Sequence, residues 1–180
     1  MSLSAASETR TRRPGVRALG IAAPAVAFGV LALLLGPQAL KTASQAQFHG
    51  PDLNLFLKQS LVVQIHILAA LGTVVVGGIL LSARKGRLFH RTGGWTWAVL
   101  MAITAGSSLF IMGLNGDHWS FIHLLSGWTL IVLPLALVAA RRHNVQAHKR
   151  SMTSLYWGAS IAAGLFTFIP GRLMWRLFFG

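Results

Sequence analysis

Apolar residues in this chain are gathered into long runs that are separated by short polar and basic segments. The clearest run extends from Ser60 to Ser82 and holds 23 residues without a formal charge. A helix rises about 1.5 Å per residue, so a run of this length crosses the roughly 30 Å hydrocarbon core of a bilayer. The same reasoning predicts five membrane-spanning helices in all, at residues 18–36, 60–82, 94–114, 121–140 and 152–169.

The first apolar run has a competing interpretation. Residues 1–17 form a basic lead with four arginines, and a basic region before an apolar one is also the signature of a signal peptide. The run 18–36 is longer than the apolar part of a signal peptide, which is usually about 7–15 residues. We therefore predict a basic lead at 1–17, on the cytoplasmic side, followed by a single transmembrane domain at 18–180 that begins with an uncleaved helix.

The fold class predicted by this pattern is an all-α integral membrane protein. The second to fifth helices are expected to form a four-helix bundle, with the first helix peripheral. With five spans, 12 of the 16 lysines and arginines fall on one side of the membrane and 4 on the other. Cytoplasmic loops carry the excess of these residues. The expected location is the bacterial cytoplasmic (inner) membrane, with the N-terminus cytoplasmic and the C-terminus periplasmic, and the segment holding Arg172 and Arg176 at the interface.

Composition narrows the chemistry that such a protein can perform. The chain is 54% apolar and 11% charged, and we interpret its net charge of +13 as topology signals and contacts with the lipid bilayer, with no nucleic-acid site. It has no cysteine, which excludes thiolate nucleophiles and iron–sulfur clusters. Only three acidic residues are present, which argues against paired-carboxylate catalysis and proton-pumping relays. Candidate chemistry rests on the seven histidines.

Two histidines lie inside predicted spans, at similar depth. His66 is in the second span and His123 is in the fourth. Lipid offers an imidazole no hydrogen bond, so a histidine at this depth usually faces a partner, a ligand or a metal. Thr73 and Gly77 share a helical face with His66, and Gly127 follows His123 by one turn. Paired histidines with room beside them are what haem ligation in a helical bundle requires, although close helix packing alone is the competing interpretation.

Several motifs carry a resemblance to a known family. Between His66 and Met152 the chain resembles a family of bacterial membrane proteins of unknown function, domain-of-unknown-function family 2306. The segment HRTGGW at 90–95 is similar to the family's His-Arg-x-x-Gly-aromatic motif, and HKRSM at 148–152 is similar to its His-basic-x-Met motif. The resemblance implies a membrane location and no settled activity.

A looser resemblance, of architecture alone, is to cytochrome b561-type proteins. In those proteins four central helices each give one histidine to two haems. The resemblance implies that His66 pairs with His123, and His90 with His148, as ligands of haem b. One haem is expected and two are compatible with the pattern. The leading hypothesis is therefore a membrane electron-transfer protein, rather than a stand-alone enzyme.

Two alternatives remain open from the residues. The first is a non-catalytic accessory or assembly subunit of a larger respiratory or photosynthetic membrane complex, which would suit helices rich in alanine and glycine. The second is a copper or zinc site at the outer leaflet, built from His66, His118, His123 and Asp117. His118 and His123 would diverge by about 140° on one regular helix, so this site requires His118 to lie in the preceding turn.

Overall fold

A computed structural model of the chain describes residues 41–42, 44–111 and 121–179. The chain divides between Ala46 and Gln47, and the helices discussed here belong to the part that begins at Gln47. Within the described residues the structure is helical, with a single isolated bridge between Phe48 and Phe179 and no strand. The all-α fold class is thus confirmed for this part of the chain. The predicted first span, 18–36, lies outside the described residues, so the five-span architecture stays a prediction.

The described helices are four long stretches with a short helix at each end of the series. The last long stretch is continuous but changes its hydrogen bonding twice, from α to π and back to α. In chain order the elements are α1 (Leu53–Leu57), α2 (Leu61–Ser82), α3 (Leu88–Ser108), α4 (Phe121–Arg141), α5 (Val145–Ser154), the π segment (Leu155–Ala162), α6 (Ala163–Thr167) and α7 (Leu173–Phe178).

The ends of two long helices differ from the sequence prediction. The third span begins at Leu88 and the fifth at Val145, which is six and seven residues earlier than predicted, and α3 ends at Ser108. Polar and basic residues at a helix end can reach water while the backbone stays helical, so hydropathy marks the apolar centre of a helix rather than its ends. His90 and His148, which we expected just before their helices, therefore lie within the first turns of α3 and α5.

The four long stretches pack as a closed ring. α2 lies along α3, α3 lies along α4, α4 lies along α5 and the π segment, and the π segment returns to α2. As a result α2 and α4 face each other across the ring, and so do α3 and the last stretch. The helices that carry His66 and His123 are therefore opposite neighbours, not adjacent ones.

An apolar core fills the middle of the ring and depends on one glycine. The indole N–H of Trp97 donates to the carbonyl of Thr73 at 2.9 Å. A Cβ atom on Gly77 would lie 2.5 Å from the ring of Tyr156 and 2.6 Å from the indole nitrogen of Trp97. Both aromatic rings thus pack directly against the α2 backbone at Gly77. The room that we expected beside Gly77 is filled by the protein's own side chains. The buried core residues are Leu80, Trp97, Ala98, Met101, Leu133, Leu155 and Tyr156.

The outer surface of the ring is apolar along most of the length of α2. Exposed large side chains of α2 recur every three or four residues along one face, at Leu61, Ile65, Leu68, Leu71, Val75 and Ile79. A soluble monomer rarely exposes so large an apolar patch, whereas lipid covers it in a membrane protein. Among the described helices, Leu61–Ser82 and Ile122–Arg141 are long and apolar enough to cross a membrane. They coincide with two of the predicted spans.

Two short helices close one end of the ring, and we name α1, α7 and the segment 47–52 the end cap. The backbone N–H of Asp52 donates to the carbonyl of Leu177 at 2.8 Å, which ties the start of α1 to α7. Met174 and Leu177 of α7 pack on Ile67 of α2 in a second apolar cluster. Gly171, with φ of 89°, lies in the turn between α6 and α7 and adopts a backbone conformation that favours glycine.

Candidate functional site

The ring encloses a cavity of about 300 Å³ next to the end cap. Side chains from α2, α3, α4, the π segment, α6 and α7 line it. Much of the lining is small, because Ala70, Ala105, Ala159, Ala163 and Gly164 point few atoms inward. Ligand sites in proteins are usually of about 300–1,000 Å³ and mostly apolar with a few polar groups, so this cavity is of a suitable kind and lies at the lower limit of size.

His66 lines this cavity and is held in one orientation. Its Nδ1 lies 3.0 Å from the carbonyl oxygen of Thr104 and 3.0 Å from Oγ of Ser107. A carbonyl can only accept, so Nδ1 carries the proton and donates it. In the neutral ring Nε2 is then the basic nitrogen, and it makes no hydrogen bond within the described residues. Histidines that bind a metal through one nitrogen typically donate the other N–H in this way.

His123 lies on the opposite helix and is 2% exposed. Its neighbours on α4, Ile122 and Ser126, line the cavity. The hydroxyl of Ser126 donates to Oγ of Ser108 at 2.8 Å, so the first turns of α4 meet the end of α3. His66 reaches the same end of α3 through Thr104. The structure thus places both histidines at one end of the ring, where His66 lines the cavity and His123 itself is not among the lining residues.

The hydroxyl of Ser160 is an unsatisfied polar group in the cavity wall. The side chain is buried, and its Oγ has no hydrogen-bond partner in the described part of the chain. A buried hydroxyl without a partner costs about 1–3 kcal/mol. Ser160 lies in the π segment, and such segments are frequent at functional sites. Ser160 was not among the predicted site residues, because no pattern in the sequence marks a π segment.

Ser160→Ala is expected to raise the stability of protein prepared without a bound cofactor, by about 1 kcal/mol, because the substitution removes the unsatisfied hydroxyl. Thermal unfolding in detergent measures this. The matched control is Ser126→Ala, which removes a hydroxyl that is bonded to Ser108 and to the carbonyl of Ile122, and it should lower the unfolding temperature. Equal losses in the two variants would mean that the Ser160 hydroxyl has an acceptor after all.

A second pair of histidines lies at the other end of the ring. Nδ1 of His148 lies 3.0 Å from the carbonyl oxygen of Ala136 on α4, so this ring also donates through Nδ1. Nδ1 of His90 is buried without a hydrogen-bond partner among the described residues. His148 lies close enough for the two rings to interact electrostatically. His90 and His148 thus lie at the same end of the ring, in the first turns of α3 and α5, and their pairing as ligands stays a prediction.

The remaining histidines are weaker candidates for a ligand-binding site. His49 and His143 are exposed, and His143 adopts a positive φ of 56° in the turn before α5. Asp117 and His118 lie outside the described residues, so the copper or zinc site that includes them stays a prediction. Within the ranges that the structure describes, no group of three or more His, Asp and Glu side chains could hold a metal ion.

These features define a class, a helical membrane protein with a mostly apolar cavity and histidines at both ends of its ring. The family described as "Predicted membrane protein (DUF2306)" matches residues 63–179, which is more than half of the chain, and the chain belongs to this family. The match confirms the family predicted from the motifs, together with membrane location and contact with the lipid bilayer. No curated protein and no solved structure shows a significant match.

Proposed function

We propose that the chain binds haem b through His66 and His123 and carries electrons in the bacterial inner membrane. The orientation of His66 is the observation that carries this proposal. Its Nδ1–H is fixed on the Thr104 carbonyl, which leaves Nε2 as a lone-pair donor beside the cavity. Haem iron takes imidazole nitrogen as an axial ligand, and a hydrogen bond from the other ring nitrogen raises the basicity of that ligand.

The lining of the cavity suits a large planar group better than a hydrated ion. Four alanines and Gly164, drawn from α2, α3, the π segment and α6, leave space between the helices. His123 supplies the second ligand from the helix facing His66. Beyond Thr73 the ring is closed by Trp97 and Tyr156, so the space for a cofactor lies between that level and the end cap.

His90 and His148 are the candidate ligands of a second haem. His148 has the same protonated Nδ1 as His66, and the Nδ1 of His90 is buried without a hydrogen-bond partner among the described residues. One haem is the expectation from the first pair, and a second haem at this end would extend an electron path across the bilayer. Because the basic loops lie at the His90 and His148 end, we assign that end to the cytoplasm and the His66 end to the periplasm.

The test is a visible absorption spectrum of detergent-purified protein from haem-replete cells, recorded oxidised and after reduction with dithionite. A Soret band and a sharp α band on reduction are expected, and a pyridine haemochrome assay gives the number of haems per chain. A colourless protein would overturn the proposal. The accessory-subunit hypothesis would then be the one to pursue, by purifying the protein with its neighbours from mildly solubilised membranes.

A further inference from the structure

A shallow, open surface depression of about 500 Å³ lies on the outer face of α5 and the π segment, and we call it the groove. Its residues recur at intervals of three and four, so they share one helical face. Cations come first along the helix, hydroxyls follow, and the indole ring of Trp157, which is 57% exposed, comes last. The surface therefore changes from cationic to aromatic within about two turns. The lining residues are Gln146, Lys149, Arg150, Thr153, Ser154 and Trp157.

The two cations of the groove, Lys149 and Arg150, have no acidic side chain near them among the described residues. Among the described residues Asp52 is the single acidic one. Its carboxylate caps α1 and accepts a hydrogen bond from the backbone N–H of Leu55 at 2.9 Å. It lies in the end cap, at the opposite end of the ring. Lys149 and Arg150 thus have no carboxylate partner within the described residues. Basic residues beside a membrane attract anionic headgroups.

The hydroxyls of the groove are also available. Neither Thr153 Oγ1 nor Ser154 Oγ makes a hydrogen bond in the part of the chain that the structure describes. Several other hydroxyls in the long helices bond back to their own helix, as Thr129 does to the carbonyl of Leu125 at 2.8 Å. Two unengaged hydroxyls within a turn of two cations form a donor set that matches phosphate oxygens.

We propose that this groove binds an anionic phospholipid, with Lys149 and Arg150 on the headgroup phosphate and an acyl chain along Trp157. A lipid fits better than a free phosphate, because the far end of the groove is aromatic and adjoins an apolar stretch of helix. Tryptophan is enriched at the level of the headgroups in membrane proteins, which agrees with the order of residues along the groove. This site lies on the outside of the ring and is independent of any haem within it.

Native mass spectrometry of the protein, released from nanodiscs that contain phosphatidylglycerol and phosphatidylcholine, tests the site. The wild type should retain one phosphatidylglycerol. The double variant Lys149→Gln/Arg150→Gln should bind it about thirtyfold more weakly, because two cations next to the membrane are lost. The matched control Arg84→Gln/Arg87→Gln makes the same charge change in the α2–α3 connection at the same end, and it should retain the lipid.

Three results would overturn the site. Equal loss of lipid in the double variant and its control would show attraction to net charge alone. Displacement of phosphatidylglycerol by an equal concentration of inorganic phosphate would show that the acyl chain contributes nothing. Unchanged lipid retention in Trp157→Ala would show that the indole ring makes no contact with the acyl chain that matters for binding. All five substituted side chains are exposed or line the open groove, so the unfolding temperature in lipid-free detergent should not change, and a loss of binding is not a loss of fold.

Discussion

His66→Ala is expected to remove the haem absorbance of the purified protein almost completely, and His123→Ala is expected to do the same. In the proposed site each imidazole would hold the iron of the cofactor, and the cavity has few other groups that could do so. A loss of more than nine-tenths of the Soret absorbance per chain is the expected result for either variant. The measurement is the reduced-minus-oxidised spectrum at matched protein concentration.

The control for both variants is His49→Ala. His49 lies in the end cap, at the same end of the ring as His66, and its side chain is exposed. Its backbone N–H, rather than its ring, donates to the carbonyl of Phe178. This variant should keep the full spectrum. Added free imidazole should restore part of the absorbance of His66→Ala, because the substitution leaves a cavity of the right shape. A wild-type spectrum from His66→Ala would rule out His66 as a ligand.

Gly77→Ala is expected to destabilise the protein by about 2–3 kcal/mol, at the upper end of the usual cost of adding a methyl group to a packed core. The new Cβ would lie 2.5 Å from the ring of Tyr156 and 2.6 Å from the indole nitrogen of Trp97. The ring of Trp97 cannot simply retreat, because its N–H is held by the carbonyl of Thr73. Gly77→Val should prevent folding. Thermal unfolding in detergent gives the measurement.

Gly106→Ala is the matched control for this effect. A Cβ atom on Gly106 would meet nothing within 4 Å among the described residues. Its stability should equal that of the wild type or exceed it by up to about 1 kcal/mol, because alanine favours a helix over glycine. If Gly77→Ala and Gly106→Ala were equally stable, the rings of Trp97 and Tyr156 would have a second arrangement that keeps the core intact.

The centres of the helices could be predicted from the sequence, but some of their ends could not. The span at 60–82 agrees with α2 to within one residue at each end, and the predicted end at residue 140 agrees with the end of α4 at Arg141, because charged or polar residues flank each apolar run closely. α3 and α5 begin early, because basic residues near a membrane surface serve equally well in a loop or in a first helical turn. Helix α1 has only five residues, which is too short for a periodic pattern to appear.

Depth along a helix was predictable for the candidate site, but rotation about the helix axis was not. The similar depths of His66 and His123 follow from the rise per residue, and both lie at the same end of the ring, but only His66 is among the residues that line the cavity. The contact between His66 and Thr104 joins residues 38 apart in sequence, and no local pattern encodes it. The close approach of Tyr156 and Trp97 to the α2 backbone falls at Gly77, and no local pattern marks that position either.

The π segment sets the rotational phase between the two ends of the last helical stretch. His148 turns toward α4, and Ser160, twelve residues later, turns into the central cavity. On a regular α-helix, at about 100° per residue, these two side chains would point about 120° apart. A π segment turns less per residue, and it reduces that offset so that both can face the interior. Deleting one residue from 155–162 would restore α-helical hydrogen bonding. It would also rotate the part of the helix that carries Ser160, together with α6 and α7, relative to the part that carries His148.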